Sequence, residues 1–177
     1  MTRIQPINRT EATGQLTATF DAIKAKLGVV PNLFGVLAQS PAALNSYLTL
    51  SEALTHGNLS AIQREILALA IGQANSCQYC LSAHTLLAKG AGLSAEAIQE
   101  ARNASSVDPL NDALAKLAVK VVNQRGVLSD ADLAEARASE VTDALIVEVI
   151  AHVALNTLTN YTNHIAATDI DFPVVQL

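Results

Sequence analysis

Aromatic and charged residues are scarce in this 177-residue sequence. It has no tryptophan, three tyrosines and three phenylalanines, so a platform for stacking nucleic-acid bases is not expected. The net charge of −5 at pH 7 also argues against a basic groove for nucleic acid or an anionic membrane. Charged residues make up 15% of the chain, whereas an ordinary soluble domain has about 25%. This thin polar coat predicts that part of the surface is buried in a homo-oligomer.

The sequence also lacks long uninterrupted apolar runs. Its first ten residues contain no apolar segment typical of a secretory signal, and no run approaches the roughly 18 residues that a membrane span needs. The most apolar stretch, residues 144–155, is interrupted by Glu148 and His152 and is predicted to be a buried helix. We therefore expect a cytoplasmic protein with no membrane partner. The length predicts one domain over residues 1–177.

The signals that are present are almost all helical. No run of alternating β-branched and polar residues suggests a sheet, whereas cap residues and glycines divide the chain into helical segments. Helices are predicted near residues 11–27, 33–38, 41–55, 61–74, 77–89, 95–103, 109–125, 130–138 and 143–167. The predicted N-caps are Ser40, Ser60, Ser94, Asp108, Ser129 and Thr142. The fold class is therefore predicted to be all-α, a single-domain bundle of eight or nine helices.

The only two cysteines, Cys77 and Cys80, are three positions apart, and His84 follows four residues later. On a helix these three positions project to one face. Residues three apart on a helix are roughly 5–6 Å from each other, within the Cα separation of about 4.4–6.8 Å that a disulfide tolerates. In a reducing compartment, such a pair is typical of a catalytic, redox-sensing or metal-binding site rather than of a structural disulfide framework.

Thiol chemistry at this pair would need activation, because a free thiol with a pKa of about 8.5 is only a few per cent thiolate at pH 7. A helix N-terminus and an adjacent histidine both lower the pKa of a thiol, and this segment offers both. Glu65, on the preceding predicted helix, is a candidate proton acceptor or a group that orients the His84 imidazole.

Other interpretations of these residues stay open at this stage. The cysteines could be inert packing residues, or ligands of a zinc ion together with His84 and one remote histidine, which would be His56, His152 or His164. A late polar cluster, Asn160, Tyr161, Asn163 and His164, could line a pocket or cap a subunit contact. The spacing of Glu148, Asn160 and Asn163 repeats that of Glu65, Cys77 and Cys80. Coincidence explains this echo as well as a degenerate helical-hairpin repeat does.

The order Glu65, eleven residues, Cys77-Gln78-Tyr79-Cys80, three residues, His84 resembles the alkylhydroperoxidase D (AhpD) core of the carboxymuconolactone decarboxylase superfamily. The segments 30–34 and 40–41 are similar to its peroxidase-related branch, and the core resemblance covers about residues 41–110. It implies an AhpD-like helical fold, assembly into trimers or hexamers, and reduction of alkyl hydroperoxides by a cysteine pair. A protein-bound lipoyl group or another thiol reductant would regenerate the pair, with no bound cofactor or metal.

Carried over by position, the resemblance implies that Cys80 attacks the peroxide and Cys77 resolves it, forming a redox-active Cys77–Cys80 disulfide. His84 would be the base near Cys80, and Glu65 the other proton relay. Tyr79 departs from characterised members, which have a histidine there, and a phenol with a pKa near 10 cannot act as a base at pH 7. The expected function is a thiol-dependent antioxidant peroxidase. The alternatives are a redox-sensing or metal-binding module without turnover, and a non-redox lyase or isomerase using His84 and Glu65.

Overall fold

The computed structural model describes residues 2–177, and this part of the chain is all-α, with nine helices and no strand. The helices are α1 (Gln15–Leu27), α2 (Asn32–Leu37), α3 (Pro41–Leu54), α4 (Ala61–Ala74), α5 (Gln78–Gly90), α6 (Ala95–Arg102), α7 (Pro109–Gln124), α8 (Asp130–Ala138) and α9 (Asp143–Ala166). The predicted fold class is confirmed, and most helix bounds agree with the prediction to within a residue or two.

The helix starts follow from side-chain caps. Each predicted N-cap accepts a hydrogen bond from the backbone N–H three residues later, so the predictions for Ser40, Ser60, Ser94, Asp108, Ser129 and Thr142 are confirmed. At the start of α4 the bond is reciprocal, because the Gln63 side chain accepts the N–H of Ser60 in return. These caps satisfy donors that the first helical turn leaves without intrahelical partners.

The prediction that the first helix begins at Glu11 was wrong, since α1 begins at Gln15. Gly14, which precedes it, has a φ of 57° and therefore cannot continue a right-handed helix toward the N-terminus. The Glu11 carboxylate instead accepts the backbone N–H of Asn8 and closes a turn. The apolar spacing continues across this break, which explains why the pattern alone overextended the helix.

Helix α4 lies at the centre of the packing. Its residues 66–72 are buried, and it packs against α5, α6, α7 and α9. One apolar cluster joins it to α7 and α9 through Leu67, Leu114 and Val149. A second cluster gathers α1, α2 and α3 around the beginning of α5, and it includes both cysteines. The framework therefore holds the cysteine pair between the central helix and the N-terminal helices.

The segment after α9 crosses the beginning of α5. The Asp171 carboxylate accepts hydrogen bonds from the Tyr79 hydroxyl (2.8 Å) and the Asn32 backbone N–H (2.8 Å). Further along, the Val175 N–H donates to the Ser82 hydroxyl at 3.0 Å. These bonds fasten the C-terminal segment to the face of α5 that turns away from Cys80 and His84.

Helix α9 has an inverted distribution of polarity. Its buried face carries polar side chains, namely His152, Asn156, Thr159, Asn160 and Asn163. Its exposed face carries an apolar stripe, which we define as Val147, Ile150, Ala154, Leu158, Tyr161 and Ile165. By length and mean hydropathy (1.2), α9 is the one helix in residues 2–177 that could cross a membrane, and 33% of the relevant window is buried.

Candidate active site

Cys77 and Cys80 form a disulfide at the beginning of α5, with their Cα atoms 5.3 Å apart. Cys77 is the N-cap of α5, not its first helical residue, and its Sγ accepts the backbone N–H of Cys80 at 3.3 Å. The chain is turned into this position by Ser76, whose φ of 54° ends the path of α4. The Cys77 sulfur therefore lies at the positive end of a helix, where a thiolate is stabilised.

Both cysteines are nearly inaccessible from solvent. Cys77 is fully buried and Cys80 is 4% exposed, and both pack in the same apolar cluster as Phe34 and Leu44. A small molecule or a reductant would therefore reach Cys80 before Cys77.

The structure brings Glu65 and His84 together. The Glu65 Oε2 atom lies 2.8 Å from Nδ1 of His84, with both side chains about one-fifth exposed. A carboxylate oxygen accepts a hydrogen bond that Nδ1 of His84 donates, and in that tautomer of the neutral imidazole Nε2 is the acceptor. His84 follows Cys80 by four residues on α5, which places the two side chains on one helix face. This arrangement can take a proton from a thiol or return one to a leaving oxygen.

Tyr79 stands where the resemblance leads us to expect a histidine, but its contacts lie on the side of α2 and the C-terminal segment. It is buried, its hydroxyl accepts the Leu33 N–H and donates to Asp171, and its ring meets Phe172 edge to face. Burial raises the pKa of the Tyr79 hydroxyl further above its ordinary value. The residue therefore joins α2, α5 and the C-terminal segment, and it contributes no base to the cysteine pair.

The residues that sequence reasoning did not assign to the site are Asn160 and Asn163 of α9. Their side-chain amides lie 3.0 and 3.5 Å from the Cys80 sulfur, whereas Tyr161 and His164 of the same polar cluster are exposed. The echo of the Glu65, Cys77 and Cys80 spacing could have drawn attention to them, because the asparagines occupy the positions that correspond to the cysteines. Spacing alone cannot indicate that the two elements meet.

The remote histidines do not join the cysteines in a metal site. Within residues 2–177, no group of three or more His, Cys, Asp or Glu side chains is placed to hold a metal ion. His56 is largely exposed and lies 3.6 Å from Glu52, its neighbour one turn earlier.

His152 is a buried imidazole on α9 whose Nε2 has no hydrogen-bond partner within residues 2–177. Burial, followed by the nearby Arg64 guanidinium, lowers the pKa of His152 to about 4, although the carboxylates of Glu148 and Glu65 oppose the shift. The native protein therefore keeps this imidazole neutral at pH values where an unfolded chain would protonate it.

This pKa predicts an acid-sensitive stability. Between about pH 6.5 and pH 4 the unfolded chain binds a proton that native His152 does not, so the free energy of unfolding falls as the pH is lowered through this window. We expect a loss of up to about 3 kcal/mol from this group, measurable by urea unfolding at several pH values. His152→Phe should flatten the dependence, while substitution of the exposed His164 should not. Equal slopes in wild type and His152→Phe would contradict the prediction.

Comparison with known proteins relates part of the sequence to one family and the whole chain to one fold. Residues 41–113 match the carboxymuconolactone decarboxylase family. An AhpD-core, peroxidase-related protein from Ralstonia eutropha superposes with a TM-score of 0.86 at 22% identity, over 96% of this chain and 92% of that one. A peroxidase-related protein from Silicibacter gives a TM-score of 0.81 at 20% identity, over 94% and 91%. The chain therefore has an AhpD-like fold, and its residues 41–113 are similar to the carboxymuconolactone decarboxylase family.

This AhpD-like fold is not confined to peroxidase-related proteins. A cysteine-to-alanine variant of the debrominase Bmp8, in complex with 2,3,4-tribromopyrrole, superposes with a TM-score of 0.80 at 18% identity, over 97% of this chain and 92% of that one. No curated protein matches the sequence significantly. The family is enzymatic in general, and the fold accommodates more than one reaction, so the specific reaction must be argued from the side chains.

Proposed function

We propose that this protein is a thiol peroxidase that reduces organic hydroperoxides through Cys80 and Cys77, with His84 and Glu65 as its proton relay. The observation that carries the proposal is the combination at the beginning of α5. A disulfide-forming pair lies at a helix N-terminus, and an imidazole oriented by a carboxylate follows one turn later. Each part is a recognised means of activating a thiol, and together they suit a two-electron oxidation.

The proposed cycle begins with the reduced pair. The Cys80 thiolate attacks the terminal peroxide oxygen, the O–O bond breaks, and the alkoxide takes a proton from the His84–Glu65 pair and leaves as an alcohol. Cys80 is then a sulfenic acid. The Cys77 thiol loses its proton and attacks this sulfur, water leaves, and the disulfide forms. One hydroperoxide and two thiols thus give one alcohol, one water and one disulfide.

Regeneration needs a dithiol, and we propose a protein-bound lipoyl group or a comparable thiol reductant in the cytoplasm. Because Cys77 is fully buried, the incoming thiolate would attack Cys80 and displace the Cys77 thiolate. The displaced thiolate would remain where the N–H of Cys80 and the helix N-terminus stabilise it. The second thiol of the reductant then attacks the mixed disulfide and releases the reduced pair.

A turnover assay tests this proposal. The protein should consume cumene and tert-butyl hydroperoxide when supplied with dihydrolipoamide, and a variant lacking both cysteines should not. The substrate panel includes 2,3,4-tribromopyrrole, because a debrominase shares the fold. Debromination without peroxide reduction would contradict the proposal, as would turnover retained without the cysteines, which is the signature of the lyase or isomerase alternative. A single stoichiometric oxidation without turnover would favour the redox-sensing alternative.

We also propose that the apolar stripe of α9 is covered by further copies of this chain, in a trimer or hexamer. The stripe extends over about 27 Å, since it covers 18 residue steps of 1.5 Å, and its large members are 39–65% exposed. Its polar opposite face is fixed against the cysteine pair, so the helix cannot rotate to bury the stripe within the same subunit. An exposed apolar surface of this extent is typical of a subunit interface.

This assembly predicts a mass well above that of one 18.5 kDa chain in light scattering at micromolar concentration. Leu158→Glu combined with Ile165→Glu should shift the mass toward 18.5 kDa, because two charges would be buried without partners. Val127→Glu is the matched control, since Val127 is 79% exposed but lies outside the stripe. A monomeric wild type, or wild type that sediments with lipid vesicles, would contradict the proposal.

A further inference from the structure

Two buried amides of α9 converge on one sulfur of the cysteine pair. The side-chain Nδ2 of Asn160 lies 3.0 Å from the Sγ atom of Cys80, and the Nδ2 of Asn163 lies 3.5 Å from it. Asn160 is fully buried and Asn163 is 5% exposed, so neither amide is in contact with bulk water. The only side-chain hydrogen bond that each Nδ2 forms within residues 2–177 is the one to this sulfur.

The orientation of Asn160 is set by a third amide. Asn75, the C-cap of α4, donates from its Nδ2 to the Oδ1 of Asn160 at 2.8 Å, which leaves the Asn160 N–H groups to face the sulfur. The Oδ1 of Asn163 is buried and has no hydrogen-bond partner among the described residues. Burying amides at a weak acceptor is costly, and a disulfide sulfur is a weak acceptor. The arrangement suits a stronger acceptor at the same place.

A thiolate is that stronger acceptor, because hydrogen bonds to a charged group are about twice as strong as those between neutral groups. We propose that Asn160 and Asn163 form an amide anion site for the Cys80 thiolate, and that they are catalytic residues which touch the reacting sulfur. The inference deepens the proposed function, since it rests on Cys80 as the attacking thiol. It also gives each sulfur its own donors, because the Cys80 N–H and the helix N-terminus serve Cys77 instead.

Other groups near Cys80 could also affect its ionisation. The titratable or charged side chains on the surrounding elements include Tyr47 on α3, Arg64 and Glu65 on α4, Tyr79 and His84 on α5, and Glu148 and His152 on α9. Tyr47 and Tyr79 are neutral phenols whose pKa values burial raises further. The Glu65 carboxylate is held by His84, and His152 is neutral near pH 7. Among these groups the amides are the only fixed donors that lie on the Cys80 sulfur, and the His84 imidazole is the group that can accept its proton.

The test measures the pKa of Cys80 directly, from the rate of iodoacetamide alkylation against pH in a Cys77→Ser background. Asn160→Ala should raise the pKa of Cys80 by about one unit, which lowers the thiolate fraction at neutral pH about tenfold. Asn160→Asp keeps an oxygen that can bind Asn75 but has no amide donor. It should raise the pKa of Cys80 at least as much as Asn160→Ala does. Asn156→Ala is the matched control, since this equally buried amide of α9 donates to the His152 carbonyl and not to sulfur.

An unchanged Cys80 pKa in both Asn160 variants would overturn the anion site. If Asn160→Ala does not fold, Asn163→Ala gives the same reading, because it leaves the bond between Asn75 and Asn160 in place. A rise caused equally by Asn156→Ala would show a general packing effect and would also overturn it. The alkylation experiment uses no peroxide, so it separates the two proposals. If the pKa of Cys80 depends on Asn160 but the protein does not turn over hydroperoxides, the anion site is retained and the peroxidase proposal is rejected.

Discussion

Replacing Cys80 by serine is expected to abolish hydroperoxide reduction, leaving the Cys77 thiol to react with peroxide no faster than a free thiol. Replacing Cys77 by serine should instead leave peroxide attack intact and trap a sulfenic acid on Cys80, because the resolving thiol is missing. The physical reason for this difference between the two variants is the position of Cys80. Cys80 is the cysteine that retains some exposure and that precedes His84 by one helical turn.

The two sulfurs nevertheless compete for the role of nucleophile. Cys77 is the N-cap of α5, where the helix dipole favours a thiolate, and its sulfur accepts the N–H of Cys80. Cys80 has the imidazole that can accept its proton and two amides that can hold its charge. Mass spectrometry after one addition of peroxide decides between them. Oxidised sulfur on Cys77 in the Cys80→Ser variant, formed at the wild-type rate, would contradict the assignment.

Glu65→Gln is expected to slow peroxide reduction by about 10²–10⁴-fold, the usual contribution of one acid or base group. The amide that replaces the carboxylate can still meet Nδ1 of His84, but it no longer stabilises an imidazolium or fixes Nδ1 as the donor. Thiol alkylation should slow as well, while helicity measured by circular dichroism should not change.

The matched control for Glu65→Gln is Glu148→Gln. Glu148 holds the corresponding place in the echo of the motif, but its carboxylate accepts the backbone N–H groups of Asn58 and Leu59 and has no contact with the thiols. This variant should lose stability and keep the alkylation rate of the cysteines. A Glu65→Gln protein that reacts at the wild-type rate would reduce Glu65 to a structural partner of His84.

Local signals in the sequence were sufficient for most of the fold. Ser60 with Gln63, and Asp108 with Pro109, define helix starts through interactions within a few residues. Such local interactions do not depend on the tertiary packing. The pairing of Glu65 with His84 could also be predicted. The two residues lie on α4 and α5, and two helices joined by a short break have few ways to pack. The start of α1 was mispredicted where one glycine backbone overrode a continuing apolar pattern.

The contacts that could not be predicted join residues far apart in the chain. Asn160 and Asn163 were noticed as polar residues in an apolar helix, but only the packing of α9 beside α5 shows that they face Cys80. Tyr79 could be excluded as a base from its chemistry, yet its bond to Asp171, 92 positions away, depends on the path of the C-terminal segment. Periodicity fixes which residues share a helix face and does not fix which helix that face meets.

The most direct test of the proposed peroxidase is a single turnover of the fully reduced wild-type protein with one equivalent of cumene hydroperoxide. The cycle predicts that cumyl alcohol appears in a one-to-one ratio with the Cys77–Cys80 disulfide, and that both free thiols disappear together. Dihydrolipoamide should then restore both thiols. Hydroperoxide left unconsumed while the protein remains reduced, or alcohol formed without loss of the thiols, would contradict the account.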